Sequence, residues 1–414
     1  MKNLLTILVV GISLALKSTA QESKISDSNS QTIKFDPSLA KGGSMTQVFT
    51  EINYIPLETT KESLLGDISQ LEVTDINFII YDNDTQCILI FDKSGKYKTK
   101  ISSVNLTEKT SNSSGEALNG FKLLKSNGEH IIQISFKSKV FNFNTSGKLI
   151  MTKKVNDKGP RYISEYNFND SVKVVNYYSD KKGNEDSLYL FGLLKNDKII
   201  KKYLRIDNKI HKMGSFAVGG PSFIDTDNPD IKYAVKDYDY KIYKITSEGM
   251  SVAYNIVFPS INALPKDFSS NKIYNGKQME YFFKQPNVNK IYGIGYTYEI
   301  GNYLYVKCGS LGHNLRQNGS FVYNLKDNSL ISLNRLDPDT LSHYLPAISS
   351  RWDMDFKKYD SKYLYTCLSS LEMFTYYEQN KSKNYKYPAV IEDYFRTANK
   401  KNNPVIVQLK PKTI

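Results

Sequence analysis

The residues best placed to meet a ligand lie in two short stretches. GSLGHNLRQNGS (309–320) sets His313, Asn314 and Arg316 in a loop flanked by glycines, and SSRWDMDF (349–356) sets Arg351, Trp352 and Asp353 side by side. A guanidinium binds an anion through two parallel hydrogen bonds, and an indole face suits a sugar ring or another planar group. Trp and Arg also recur where binding energy concentrates. We therefore take His313, Arg316, Arg351 and Trp352 as candidate binding residues for an anionic or carbohydrate-like ligand. The competing reading is a Trp packed between layers, with Arg351 paired to a carboxylate.

Other chemistry is harder to find. The histidines are His130, His211, His313 and His343, and none stands two or four residues from another. That spacing offers no local pair of zinc ligands. Asp225, Asp227 and Asp230 in SFIDTDNPDIK form the densest carboxylate cluster. They lack the glycine and the closing glutamate of a calcium loop, so an Asp/Asn-rich turn is expected. No G-x-S-x-G elbow, phosphate-binding loop, zincin motif or repeated Asp-box occurs. No catalytic residue, metal or cofactor is assigned. Two carboxylates at a set distance would suffice for a glycosidase, and sequence cannot choose such a pair. Two or three convergent acids without basic neighbours would favour that reading.

The elements that must carry these loops are strands. Gly66 to Ile101 reads as four of them: Ile68–Val73, Asn77–Tyr81, Gln86–Asp92 and Lys96–Ile101. FIIY and CILIF are too short for helices and are apolar on both faces, as in a sheet covered on each side. Asp82-Asn83-Asp84 and Lys93-Ser94-Gly95 supply the turns, with Gly95 free to take positive φ. The same turn returns at Gly147, Asp197 and Gly249, a period of about 51 residues, and again at Asp327-Asn328 after an insertion around 260–290. Four-strand units at that period are the signature of propeller blades. A sixth unit starts near Ala347, with strands expected at 348–356 and 361–369, a polar Lys-rich exit, and a last strand at 405–409. Thr46–Leu57 is then spare, and fits as the outer strand that closes the sixth blade. The expected fold is all-β: a six-bladed β-propeller over 46–414 as a single domain, with short helices near 276–284 and 389–398. Residues 21–45 are polar and lack periodicity, so they read as a flexible lead-in.

The start of the chain predicts export. Lys2, an apolar run from Leu4 to Leu16 and the small residues Ser18-Thr19-Ala20 form a signal peptide over 1–20, cleaved near Ala20. The run is short for a membrane span, and no later segment approaches one. The expected compartment is the periplasm, the cell surface or the medium. The formal charge is +13, or +11 once Lys2 and Lys17 are removed. Export argues against nucleic acid, and leaves an anionic glycan, an envelope lipid or an envelope protein as partner classes beside a merely solvated Lys-rich surface. With three cysteines, Cys87, Cys308 and Cys367, a fully paired framework is excluded. One bridge between Cys308 and Cys367 stays open as an alternative.

YIPLETTKESLLGDISQLEV (54–73), ILIFDKSGKYKTKI (88–101), DYDYKIYKIT (237–246) and the terminal NPVIVQLK (403–410) resemble the exported six-bladed propeller proteins of Bacteroidetes, relatives of the NHL-type propellers. The resemblance implies the fold and an exported location, and no catalytic residues. Where many relatives carry a G-x-G-P-x-E-[FY] segment after the first blade, this chain keeps only Gly115-Glu116. The expected function is a monomeric binding or interaction module. The alternative is a propeller hydrolase or lyase acting on glycans. Topology adds one constraint. Connections between the second and third strands of a blade share a rim with those between successive blades. Residues 309–320 and the approach to Arg351 are of these two kinds, so both belong to one rim, where function usually sits.

Overall fold

The computed structural model describes residues 22–102, 106, 118–126, 128–154, 162–177, 189–206, 222–274, 276–312, 319–349 and 356–413. The segment 1–20, expected as a signal peptide, lies outside them.

Six small sheets, each built on antiparallel strands, form a six-bladed β-propeller. Blade 1 consists of Gln70–Val73, Asn77–Asp82, Cys87–Asp92 and Tyr97–Ser102, in sheet order from the inside out. Its apolar strands divide by the period-two rule. Phe78, Ile80, Leu89 and Phe91 pack with Tyr365, Cys367 and Ile406 of blade 6. The intervening Ile79, Tyr81, Ile88 and Ile90 pack with Ile132, Ile134 and Phe141 of blade 2. Runs that are apolar on both faces thus serve two inter-blade cores at once.

The repeated turn between third and fourth strands is a backbone requirement. Gly95, Gly147, Asp197, Gly249 and Asn328 have φ of +85°, +78°, +60°, +151° and +62°. That region costs an ordinary side chain energy, and Gly, Asn and Asp tolerate it best.

Phe49–Pro56 is the outer strand of blade 6, pairing antiparallel with Val405–Pro411 in the register Ile406↔Ile55 and Val407↔Tyr54. The chain's two ends therefore close the ring. The inner edge of this blade differs from expectation. Its first strand is only Lys358–Tyr359, and Ile348, Ser349 and Phe356, the described residues of the expected 348–356 strand, lie in none.

The stretch 21–45, expected as a lead-in without regular structure, carries two short strands among its described residues. Gln31–Lys34 adds in parallel to the outer strand of blade 4, Gly249–Val257. Lys41–Ser44 adds in parallel to that of blade 5, Leu330–Asp337. Isolated bridges tie Glu22 to Lys202 of blade 3 and Ser26 to Ser251 of blade 4. The physical reason is edge pairing, since an outer strand offers a row of open N–H and C=O groups. Two buried anchors, Ile33 and Phe35, hold the strap down, and Phe35 packs edge-on against Phe258 at 5.5 Å and Phe321 at 5.3 Å.

Helices stand at Gln278–Phe283 and Ala389–Thr397, as the sequence predicts, and also at Ser370–Asn380, within the stretch read as a polar exit. Cys87, Cys308 and Cys367 are all buried and none is in a disulfide, so the Cys308–Cys367 bridge does not form.

Candidate functional site

The inner strands surround the ring axis, and several charged residues on them are paired. On blade 6, Lys358 Nζ lies 2.9 Å from Glu72 Oε2 on blade 1 and 3.1 Å from Asp225 Oδ2 on blade 4. Asp225 Oδ1 also accepts from Lys232 Nζ at 2.6 Å. Lys232 sits on the second strand of blade 4 with its ammonium 4.0 Å from the ring centroid of Tyr166 on blade 3. On the other side, Lys122 of blade 2 pairs with Glu165 of blade 3 at 3.1 Å. Two phenols join in: Tyr359 donates to Asp227, and Tyr233 to Glu299 on blade 5.

These neighbours fix the charge states. Burial alone would lower the Lys358 ammonium, but Glu72 and Asp225 outweigh it and hold the group above the ordinary lysine range. Burial alone would raise the Asp225 carboxyl, and Lys358 and Lys232 hold it below the usual aspartate value instead. Asp225 is thus a fixed anion at neutral pH, the opposite of the proton-bearing carboxyl that a glycosidase needs as its acid. Among the described residues, no three His, Cys, Asp or Glu side chains come together as a metal site.

The long connections gather on one rim. It carries the insertion between blades 4 and 5, with Gln278–Phe283, and the second-to-third connection of blade 6, with Ser370–Asn380 and Ala389–Thr397. The link between blades 5 and 6 is there too. These segments hold one another. Ser310 Oγ donates to the carbonyl of Val288 at 3.0 Å, Asn380 Nδ2 to that of Tyr344 at 2.8 Å, and Ser349 Oγ to Glu372 Oε1 at 2.5 Å. The opposite rim has mostly short turns, such as Asn196-Asp197 and Gly301-Asn302.

His313, Arg316, Arg351 and Trp352 all lie outside the described residues, as does His211. Their flanks are described. Tyr303–Ser310 and Ser320–Asn324 bracket the first pair, and Ser349 and Phe356 bracket the second. Of the other histidines, His130 lies on the second strand of blade 2, Glu129–Phe136, and His343 in a turn, where burial lowers its imidazole. Sequence reasoning missed the axial network. Asp225, read as part of a turn, is its hub, and its partner Lys358 is 133 residues away. Only the repeated charge on successive inner strands could have signalled it.

Residues 30–410 match the family described as Domain of unknown function (DUF4934), and the chain belongs to that family. A Bacteroides fragilis protein named as exported is similar in structure, with a TM-score of 0.63 at 14% identity over 92% of this chain and 100% of that one. A DUF4221 family member from Bacteroides vulgatus has a TM-score of 0.45 at 13% identity, over 88% of this chain and 97% of that one. Such identities speak to fold alone. Among curated proteins no sequence matches.

Proposed function

We propose that this member of the DUF4934 family is an exported binding module whose ligand, anionic or carbohydrate-like, is met on the rim of long connections. The observation that carries the reading is the clamping of Asp225 by two lysines, 2.6 Å and 3.1 Å away. A carboxylate held as an anion by two ammonium groups is poorly suited to donate a proton, which weighs against the glycan hydrolase or lyase. Export, with the signal peptide removed near Ala20, rests on the leader-like residues 1–20 and on the fold shared with a Bacteroides protein named as exported. Among the described residues no helix is long and apolar enough to cross a membrane. Kinship with NHL-type propellers rests on the sequence resemblance and the blade count.

His313, Arg316, Arg351 and Trp352 remain the proposed contacts, and the described strands flanking them, Tyr303–Ser310, Ser320–Asn324 and Lys358–Tyr359, support that reading. The mature protein is to be tested on a glycan array and against anionic envelope polysaccharide by calorimetry. Binding without release of new reducing ends is expected, and Arg351→Ala and Trp352→Ala should weaken it with little change in melting temperature. Release of reducing ends would establish the hydrolase instead. A large loss of stability in Trp352→Ala would assign the Trp to packing, since truncating a buried Trp costs roughly 3–5 kcal/mol.

A further inference from the structure

The connection between the second and third strands of blade 6 folds into a cleft. Ser370–Asn380 and Ala389–Thr397 pack through Phe374 on Phe395 at 5.3 Å and Phe374 on Tyr394 at 5.5 Å. Between their far ends lies a cleft of about 450 Å³, within the size range of small-molecule sites. Tyr377, Tyr385, Tyr387 and Phe395 line it with rings, and Asn384 and Glu392 line it with polar groups.

The scaffold of the cleft is fixed before any ligand arrives. Tyr377 and Phe395 stack at 4.2 Å and 17°, and Tyr387 meets Phe395 edge-on at 5.4 Å. Tyr385 is stacked on Tyr344 at 3.7 Å and 10°, and the Lys383 ammonium lies 5.7 Å from its ring centroid, so a sugar stacking there would displace that exposed side chain. Asn384 holds a left-handed backbone at φ +51°, which turns the chain back toward the second helix. Helix Ser370–Asn380 is itself anchored: Ser370 Oγ donates to the carbonyl of Asn403 at 2.7 Å, and Tyr394 Oη to Ser370 Oγ at 2.8 Å.

The lining selects a chemistry. Aromatic faces accept the C–H face of a pyranose ring, while amide and carboxylate groups accept or donate to its hydroxyls. A purely apolar ligand would displace water from the exposed Asn384 and Glu392 without replacing its hydrogen bonds. A small cation would need rings set apart around it and a net negative wall. Here the rings pack on one another, and Lys381 lines the cleft opposite in sign to Glu392.

We propose that this cleft is a binding site for one or two residues of a neutral oligosaccharide, with Tyr385 as stacking platform and Glu392 and Asn384 as hydroxyl partners. The proposal deepens the binding reading above and rests on it. The test uses the full mature protein with cellohexaose, maltohexaose, mannohexaose and chitohexaose as probes, read by calorimetry and by saturation transfer from aromatic protons. At least one probe should bind, with sugar-ring protons receiving the strongest transfer. Tyr385→Ala and Glu392→Gln should each weaken it at least tenfold, and Glu392→Gln guards against a folding artefact because the residue is exposed. If a probe binds equally to both variants but loses affinity in Arg351→Ala, the binding reading stands and this site is wrong. If none of the four probes binds, the cleft is not an oligosaccharide site, whatever else the rim takes.

Discussion

Lys358 of blade 6 and Asp225 of blade 4 meet at 3.1 Å although a whole blade separates their strands in the ring. The pair therefore crosses the axial opening, and Glu72 on the other side of Lys358 extends the tie to blade 1. Three blades are held by one ammonium. The consequence is mechanical as well as electrostatic, because the ring cannot widen at its centre without separating charges that are poorly solvated.

Removing that ammonium should therefore cost more than an ordinary surface pair. Lys358→Met leaves Glu72 and Asp225 facing each other with only Lys232 to offset them. Groups this secluded lose about 1–3 kcal/mol when one partner goes, against about 0–1 kcal/mol for exposed pairs. Denaturant unfolding of Lys358→Met should show the larger loss, and Lys400→Met, which breaks the exposed Lys400–Glu378 pair at 3.0 Å, the smaller. Equal losses would mean that the axial network is no more than surface charge.

The same network sets a pH window. Asp225 is depressed in the folded state, so its contribution is complete above the usual aspartate range, about pH 4, and fades as pH falls through the depressed value. Lys358 is raised, so its contribution is complete below about pH 10 and fades as pH climbs through the raised value. Melting temperature should hold steady from about pH 5 to 9 on this account and fall on the acid side. Asp225→Asn should flatten the acid limb. An unchanged limb in that variant would assign acid unfolding to other carboxylates.

How much of this was legible depended on whether a signal was local. FIIY and CILIF disclosed a doubly covered strand because alternate residues had to serve two cores. Gly95, Gly147 and Gly249 disclosed the period because a left-handed turn constrains residue type. Helix Ser370–Asn380 carried its own signal, the S-x-x-E of Ser369 and Glu372, which form a capping box. The surrounding Lys-rich polarity hid it. The strap over blades 4 and 5 had only scattered apolar marks, Ile25, Ile33, Phe35, Leu39 and Ala40, in a polar stretch, too irregular for periodicity. The axial pairs between blades had no local signal, since Lys358, Glu72 and Asp225 meet only after the ring closes.

The turn at Gly95 offers a sharp test of ring closure. A Cβ there would come within 2.2 Å of the carbonyl oxygen of Pro56, on the strand that completes blade 6, and the backbone φ is +85°. Gly95→Ala thus combines left-handed strain, roughly 1–2 kcal/mol, with a clash against the closing strand. Gly128 has nearly the same φ, +82°, and nothing within 4 Å of its would-be Cβ. Gly128→Ala should lose only the strain, and Gly95→Ala clearly more, by chemical denaturation. If the two variants unfold alike, the turn of blade 1 does not lean on Pro56.

Deleting the strap separates edge protection from closure. A chain starting at Met45 keeps Phe49–Pro56 in blade 6, so the ring stays closed. It bares the outer strands of blades 4 and 5 and uncovers the seats of Ile33 and Phe35, both 1% exposed in the full chain. Burying such side chains stabilises by roughly 1.5–3 kcal/mol each, offset in part by the entropy of ordering the strap. The truncated chain should melt lower and self-associate as concentration rises, because open strand edges pair with each other. Phe35→Ala alone should reproduce much of the thermal loss, at roughly 3–5 kcal/mol, while leaving the edges paired and the protein monodisperse. Removing residues 22–57 should be worse than either, since blade 6 then loses its outer strand. Light scattering and calorimetry on the three forms decide the order. Equal melting of the full chain and the form starting at Met45, with no association, would make the strap a passive tail.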